Sequence, residues 1–147
     1  NIALSWLSDK LGLSFNWFDN IMKQREVQTE WLADLIEEHS AGLPINILGK
    51  SFKPQTNITT GSPSILLKNI LEERGHAVFM WDPYIDESWE DMKKQYGWDE
   101  ESQCYFIGTK HEDFINFPYE KGSVIIDPWR FIPDIYNCKV IRIGDSN

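Results

Sequence analysis

The chain has 147 residues, 41% of them hydrophobic and 25% charged, and a formal net charge of −9. That length holds one well-buried domain with an added element, but hardly two domains, and the composition is that of a soluble globular protein. Sparse Lys and Arg exclude a nucleic-acid footprint, which needs clustered basic side chains against phosphate.

From the N-terminus, Ile2 to Leu11 reads as a short amphipathic helix broken at Gly12-Leu13-Ser14. From Phe15 or Asn16 to His39, the spacing of Phe18, Ile21, Met22, Trp31, Leu32, Leu35 and Ile36 predicts one long helix. Glu37-Glu38 oppose its dipole, and Ala41-Gly42-Leu43-Pro44 end it. A helix of about 24 residues is roughly 36 Å long, more than a small domain needs. Its surplus apolar surface is expected to meet a second subunit or a further domain; the alternative is a helix lying along its own sheet.

Ile45–Leu48 is a buried strand that stops at Gly49, and Ser62-Pro63 opens a helix running to Arg74, with Ser62 as N-cap and Pro63 in the first helical position. Ala77 to Trp81 is a second strand, Glu87 to Tyr96 a charged surface helix closed by Gly97, and Cys104 to Gly108 a third strand. Glu112 to Asn116 is a short helix, Ser123 to Ile126 a fourth strand and Lys139 to Ile143 a fifth. Strands alternating with helices predict an α/β, Rossmann-like three-layer domain. Its five-stranded sheet is expected to be mostly parallel, preceded by an N-terminal helical extension, with residues 1–42 as helical segment and 43–147 as the domain.

Three motifs fail. Gly49-Lys50-Ser51 resembles the end of a P-loop, but Pro44 stands where that motif needs its first Gly. After Gly49 no second Gly comes before Gly61, so there is no dinucleotide fingerprint, and Asp82 reads as a strand-terminal turn residue. His39, His76 and His111 have neither metal-ligand spacing nor a nucleophile motif nearby. His111 does lie at the C-terminal edge of the third strand, where ligands of open α/β sheets bind. Cys104 and Cys138 sit in apolar runs without ligand spacing and read as buried free thiols in strands. With no leader peptide or membrane-length apolar run, the expected compartment is the cytoplasm, with no membrane partner.

The informative residues are Phe52, Lys53, Thr56, Asn57 and Ser62 around the first loop, with Arg130 after the fourth strand. A Lys and an Arg from two strand ends, beside a helix N-terminus at Ser62, suit a pyrophosphate. The alternative is that Lys53 and Arg130 pair with local carboxylates.

Gly49-Lys50-Ser51-Phe52-Lys53-Pro54-Gln55-Thr56-Asn57 followed by Ser62-Pro63 resembles the G-x-[AS]-F-K-P-x-T-[DN]-x-x-x-x-S-P stretch of the UDP-glucose/GDP-mannose dehydrogenases, where it opens the C-terminal, UDP-sugar-binding domain. Ala77 to Tyr84, Phe106 to Phe114 and Val124 to Arg130 are similar to later segments of that domain, and the long helix to the end of the family's central dimerisation helix. The resemblance implies that Phe52 and Lys53 contact a UDP-sugar, Lys53 at its phosphates, and that Arg130 contacts the substrate from the late loop. Thr60-Gly61 stand where the family usually has Arg-Glu, the Arg approaching NAD, and Pro128-Trp129 replace its commoner Gly-Arg. The family's catalytic Cys and Lys and its NAD-binding glycines belong to upstream regions, so no catalytic residue is expected here. The chain begins with Asn1 rather than Met, which fits a fragment.

The function this implies is the substrate-binding part of an NAD-dependent UDP-sugar 6-dehydrogenase. NAD would be bound by the parent's N-terminal domain and none by this fragment, and a homodimer would form through the long helix. The other reading is a free-standing, non-catalytic nucleotide-binding or assembly module with the same fold.

Overall fold

The computed structural model describes residues 2–97 and 101–144. Helices α1 (Ile2–Lys10) and α2 (Trp17–Ser40) precede β1 (Ile45–Leu48), α3 (Pro63–Glu73), β2 (Val78–Trp81), α4 (Trp89–Tyr96) and β3 (Cys104–Ile107). A 3-10 turn (Glu112–Asn116), β4 (Val124–Asp127) and β5 (Lys139–Arg142) follow. All five strands are parallel, in the order β2-β1-β3-β4-β5, with Ile45 facing Val78 on one side and Cys104 on the other. The expected five-stranded α/β domain with its N-terminal helices is present, and each strand boundary falls within a residue of its sequence reading.

Parallel strands covered on both faces read as unbroken apolar runs, and β1, β3 and β4 are buried throughout. Ile45, Ile47, Cys104, Phe106, Val124 and Ile126 point to one face, against Ala33 and Ile36 of α2 and Leu67, Ile70 and Leu71 of α3. Leu48, Trp81, Tyr105, Ile107 and Ile125 point to the other, into an aromatic layer with Trp89, Phe114 and Phe117. Three layers result. β5 is an edge strand, and its exposed Lys139 discourages pairing with another chain.

The long helix lies along its own sheet only in part. Its C-terminal half lies on its own sheet, while Trp17, Ile21 and Val27 of its N-terminal half stay exposed. It runs parallel to α3. Arg25 Nη2 donates to Gly61 O at 3.2 Å at one end, and Arg74 binds Glu30, Asp34 and Glu37 at 2.5, 2.8 and 2.7 Å at the other. Glu37, unfavourable for the helix dipole, is thereby neutralised, and it also meets His76 at 2.7 Å.

Helix α1 departs from the amphipathic expectation. Its buried residues are Ser5 and Ser8, while Ile2, Leu4, Trp6 and Leu7 are exposed. The cause is the α2 N-cap: Asn16 accepts from Asp19 N and donates to Ser5 O and Asp9 Oδ1, which holds the polar edge of α1 inward.

Candidate functional site

The strand order reverses between β1 and β3, the switch point where open α/β sheets usually admit a ligand. Here the two strand ends are closed onto each other. Gly108 N and Thr109 N donate to Leu48 O at 2.8 and 3.3 Å, and Thr109 Oγ1 donates to Ser51 O at 2.6 Å. A Cβ on Gly49, whose φ is +103°, would lie 2.6 Å from Thr109 N; one on Gly108 would lie 2.2 Å from Ser64 Oγ. That packing leaves no cradle for a dinucleotide pyrophosphate. The acid at the end of β2, in the place of a ribose ligand, is Asp82, and it is committed to backbone amides. The junction therefore does not form the glycine turn of a dinucleotide site.

Those amides belong to the loop after β1. Lys50 N and Ser51 N donate to Asp82 Oδ2 at 2.7 and 3.0 Å, and Tyr84 N donates to Oδ1 at 2.9 Å. His111 Nε2 lies 3.2 Å from Oδ2. Burial pushes the Asp82 carboxyl up, but the hydrogen bonds from His111 and from the Tyr84, Ser51 and Lys50 amides outweigh it, holding the group well below the carboxylate range. Lys50 Nζ pairs with Asp86 at 2.6 Å.

Phe52 and Lys53 form the exposed tip of this loop, with the Lys53 ammonium 5.2 Å from the Phe52 ring centroid. Lys53 forms no ion pair among the described residues, so pairing with a local carboxylate does not occur for it. Phe52 N donates to Ile58 O at 2.9 Å, Ile58 N donates to Thr56 Oγ1 at 3.3 Å, and Asn57 is exposed, so Thr56 and Asn57 shape the return of the loop.

Arg130 stands over the other half of the sheet edge. Asp127, fully buried at the end of β4, accepts from Trp129 N, Arg130 N, Phe131 N and Ile132 N at 2.8–3.0 Å. This turn holds Arg130 at φ +57°, and its Nη1 donates to Ile143 O at 3.1 Å. The Lys53 loop is anchored at β2 and β3, the Arg130 turn at β4 and β5.

Beside the Arg130 turn, against α2 and the start of α3, is a cavity of about 360 Å³ whose walls include Arg25, Thr29, Trp31, Ser64, Gly108 and Trp129. None of Phe52, Lys53, Thr56, Asn57, Ser62 or Arg130 lines it. Ser62 holds the N-cap position of α3 but gives no side-chain cap, unlike Asn16 and Ser88 in α2 and α4. Among the described residues, the hydroxyls of Ser62 and Ser64 are buried without a hydrogen-bond partner. Sequence reading missed Arg25, Trp31, Ser64 and Trp129. Arg25 and Trp31 sit far up the chain, on a helix with no local sign of facing a loop. Trp129, fixed by Nε1 donating to Ile107 O at 3.0 Å, registers in sequence only as a replacement beside Arg130.

Cys104 and Cys138 are free, as expected, although Cys138 is half-buried just ahead of β5 rather than inside it. Burial pushes the Cys104 thiol up to about 12 and the Cys138 thiol up as well. Both lie at the N-terminal ends of their strands, on the edge of the sheet away from the loops above.

No helix among the described residues is long and apolar enough to cross a membrane. No curated protein sequence matches the chain. Its fold is shared with a UDP-glucose dehydrogenase from the hyperthermophilic archaeon Pyrobaculum islandicum (TM-score 0.66, 21% identity, 92% of this chain and 34% of that one). A GDP-mannose dehydrogenase from Pseudomonas aeruginosa, solved as a ternary complex, matches with TM-score 0.67 and 19% identity over 94% of this chain and 36% of its own. A UDP-N-acetyl-mannosamine dehydrogenase from Staphylococcus aureus matches with TM-score 0.63 and 16% identity over 80% and 31%. The chain thus spans about a third of the length of these structures. Residues 46–139, from β1 to the start of β5, match the UDP binding domain of the UDP-glucose/GDP-mannose dehydrogenase family, and the chain belongs to that family.

Proposed function

We propose that this chain is the C-terminal, substrate-binding part of an NAD-dependent nucleotide-sugar 6-dehydrogenase of the UDP-glucose type, and that it holds the diphosphate of a UDP-sugar. The observation that carries the reading is the match of residues 46–139 to a UDP binding domain, in a chain whose Phe52-Lys53 pair stands exposed at the strand-end edge. Lys53 supplies a positive charge without a carboxylate partner among the described residues, and the N-terminus of α3, where Ser62 gives no side-chain cap, supplies amide donors. Arg130, from the far half of the edge, closes on the substrate from the other side. The chain contributes positioning: fixing the diphosphate carries the sugar to reacting groups held elsewhere in the parent. Oxidation of the CH–OH centre, NAD and the catalytic Cys belong to those other parts, because the closed β1–β3 junction offers no dinucleotide cradle and both cysteines here lie away from the loops. Residues 1–42 are the end of the parent's central helical region and 43–147 the binding domain. The exposed apolar side of α1 and of the first half of α2 meets a second copy.

One observation favours a second reading, a non-catalytic module that keeps the fold. Thr60-Gly61 and Pro128-Trp129 depart from the family pattern, and Trp129 is built in as a cavity wall. A G-x-G-x-x-G strand turn encoded upstream of Asn1 decides for the dehydrogenase.

The test is a heteronuclear NMR titration with UDP, UDP-glucose, GDP-mannose and NAD. UDP ligands are expected to shift Phe52, Lys53, the Ser62 amide and Arg130, with NAD silent. Lys53→Ala is expected to weaken UDP-glucose binding by about 1.5–3 kcal/mol, the worth of a charge-assisted phosphate contact, with the fold intact. Unchanged affinity removes Lys53 from the site.

A further inference from the structure

Beneath the Phe52–Lys53 tip lies one side chain to which the function above assigns no role. His111 is fully buried, stacked on Tyr84 at 4.8 Å between ring centroids and edge-on to Phe114 at 5.5 Å. Its two nitrogens reach the two feet of the tip. Nε2 lies 3.0 Å from Ser51 Oγ, just before Phe52, and Nδ1 accepts from Gln55 N at 3.3 Å, just after Pro54. The imidazole is thus a spacer of fixed width between the residues that flank Phe52-Lys53-Pro54.

The hydrogen-bond accounting selects one form of the ring. A backbone N–H can only donate, so Nδ1 must carry a lone pair toward Gln55. The proton is then on Nε2, where the Asp82 carboxylate accepts it at 3.2 Å beside the Ser51 hydroxyl. Gln55 has φ +56°, a left-handed conformation that a non-glycine residue keeps only where its surroundings hold it. The amide of this residue is the one that donates to Nδ1.

We infer that His111, as the neutral Nε2–H tautomer, is the positioning residue for the nucleotide-binding tip, holding the Gln55 amide through Nδ1 so that Lys53 is presented in one place. The inference rests on the reading that this tip meets the UDP-sugar. Ordering the loop before the ligand arrives removes that entropy from the binding step.

Two substitutions separate the clamp from plain structure. His111→Gln can still reach Ser51 and Asp82 but has no atom at the Nδ1 position, whereas His111→Asn can still accept from Gln55 N but falls short of Asp82. His111→Gln is expected to melt near the wild type yet bind UDP-glucose about five-fold or more weaker. His111→Asn is expected to melt lower yet, while folded, to bind within about two-fold of wild type. Affinity falling in step with melting temperature in both variants overturns the inference. Long-range ¹H–¹⁵N correlation at about pH 7.5 should show the Nε2–H tautomer, and an Nδ1–H or charged ring there also overturns it. If the wild type binds no UDP-glucose, the proposed function fails on its own. The clamp is then judged by the tautomer and by amide exchange, which should speed up at Phe52, Lys53 and Gln55 in His111→Gln; unchanged exchange refutes it.

Discussion

Two aspartates at strand ends, Asp82 and Asp127, organise the loops at the site edge, each followed by proline and each collecting backbone amides from the loop beside it. Asp-Pro at a strand end is legible in sequence as a turn, and Asp82 reads correctly as structural rather than as a ribose ligand. Which amides it would gather is not legible, because Lys50 and Ser51 belong to a different strand connection. Asp82→Asn turns one acceptor oxygen into a donor facing donors, so a loss of about 2–4 kcal/mol in urea-monitored stability is expected. The pH dependence has a definite sign. The folded-state pKa of Asp82 is depressed, so its contribution is fully present above the unfolded value of 3.8 and is lost as pH falls below it. Stability measured against pH should therefore fall more steeply on the acid side in the wild type than in Asp82→Asn; parallel curves would show that the amide network does not select the ionised form.

At the scale of elements, α2 has two halves with different energetics. Ile36 is fully buried against the sheet, while Val27, nine residues earlier, is 61% exposed. Ile36→Ala is expected to cost about 2–5 kcal/mol, and Val27→Ala to stay within about 0.5 kcal/mol, both read from chemical denaturation of this chain. Comparable losses would mean that the first half of α2 is packed as tightly as the second. Periodicity shows that such a helix exists and where it ends, but not which stretch of its stripe meets the sheet. That choice shows only in contacts such as Arg25 reaching Gly61 and Arg74 gathering Glu30, Asp34 and Glu37, separated by 36 to 44 residues along the chain.

For the whole molecule, the apolar side chains left outside concentrate on α1 and the first half of α2, where Ile2, Trp6, Trp17 and Val27 are each more than 60% exposed. A patch of this kind suits the second copy proposed above. Sedimentation velocity at high concentration should show self-association, and Trp6→Glu with Trp17→Glu should return a monomer. A strictly monomeric wild type removes the second copy.

The order of elements, the all-buried parallel strands and the F-K-P loop were settled by local sequence: apolar runs, caps and glycines act over a few residues, and those are the distances a sequence displays. The cavity between Arg25, Ser64 and Trp129, the inverted α1 and the His111 clamp arise only when segments far apart in the chain are brought to one sheet edge. The crossover topology does that, and no single stretch encodes it. Ser62 shows the division most plainly. Its place before Pro63 made it the N-cap, but only the packing around α3 decided that its hydroxyl would find no partner among the described residues.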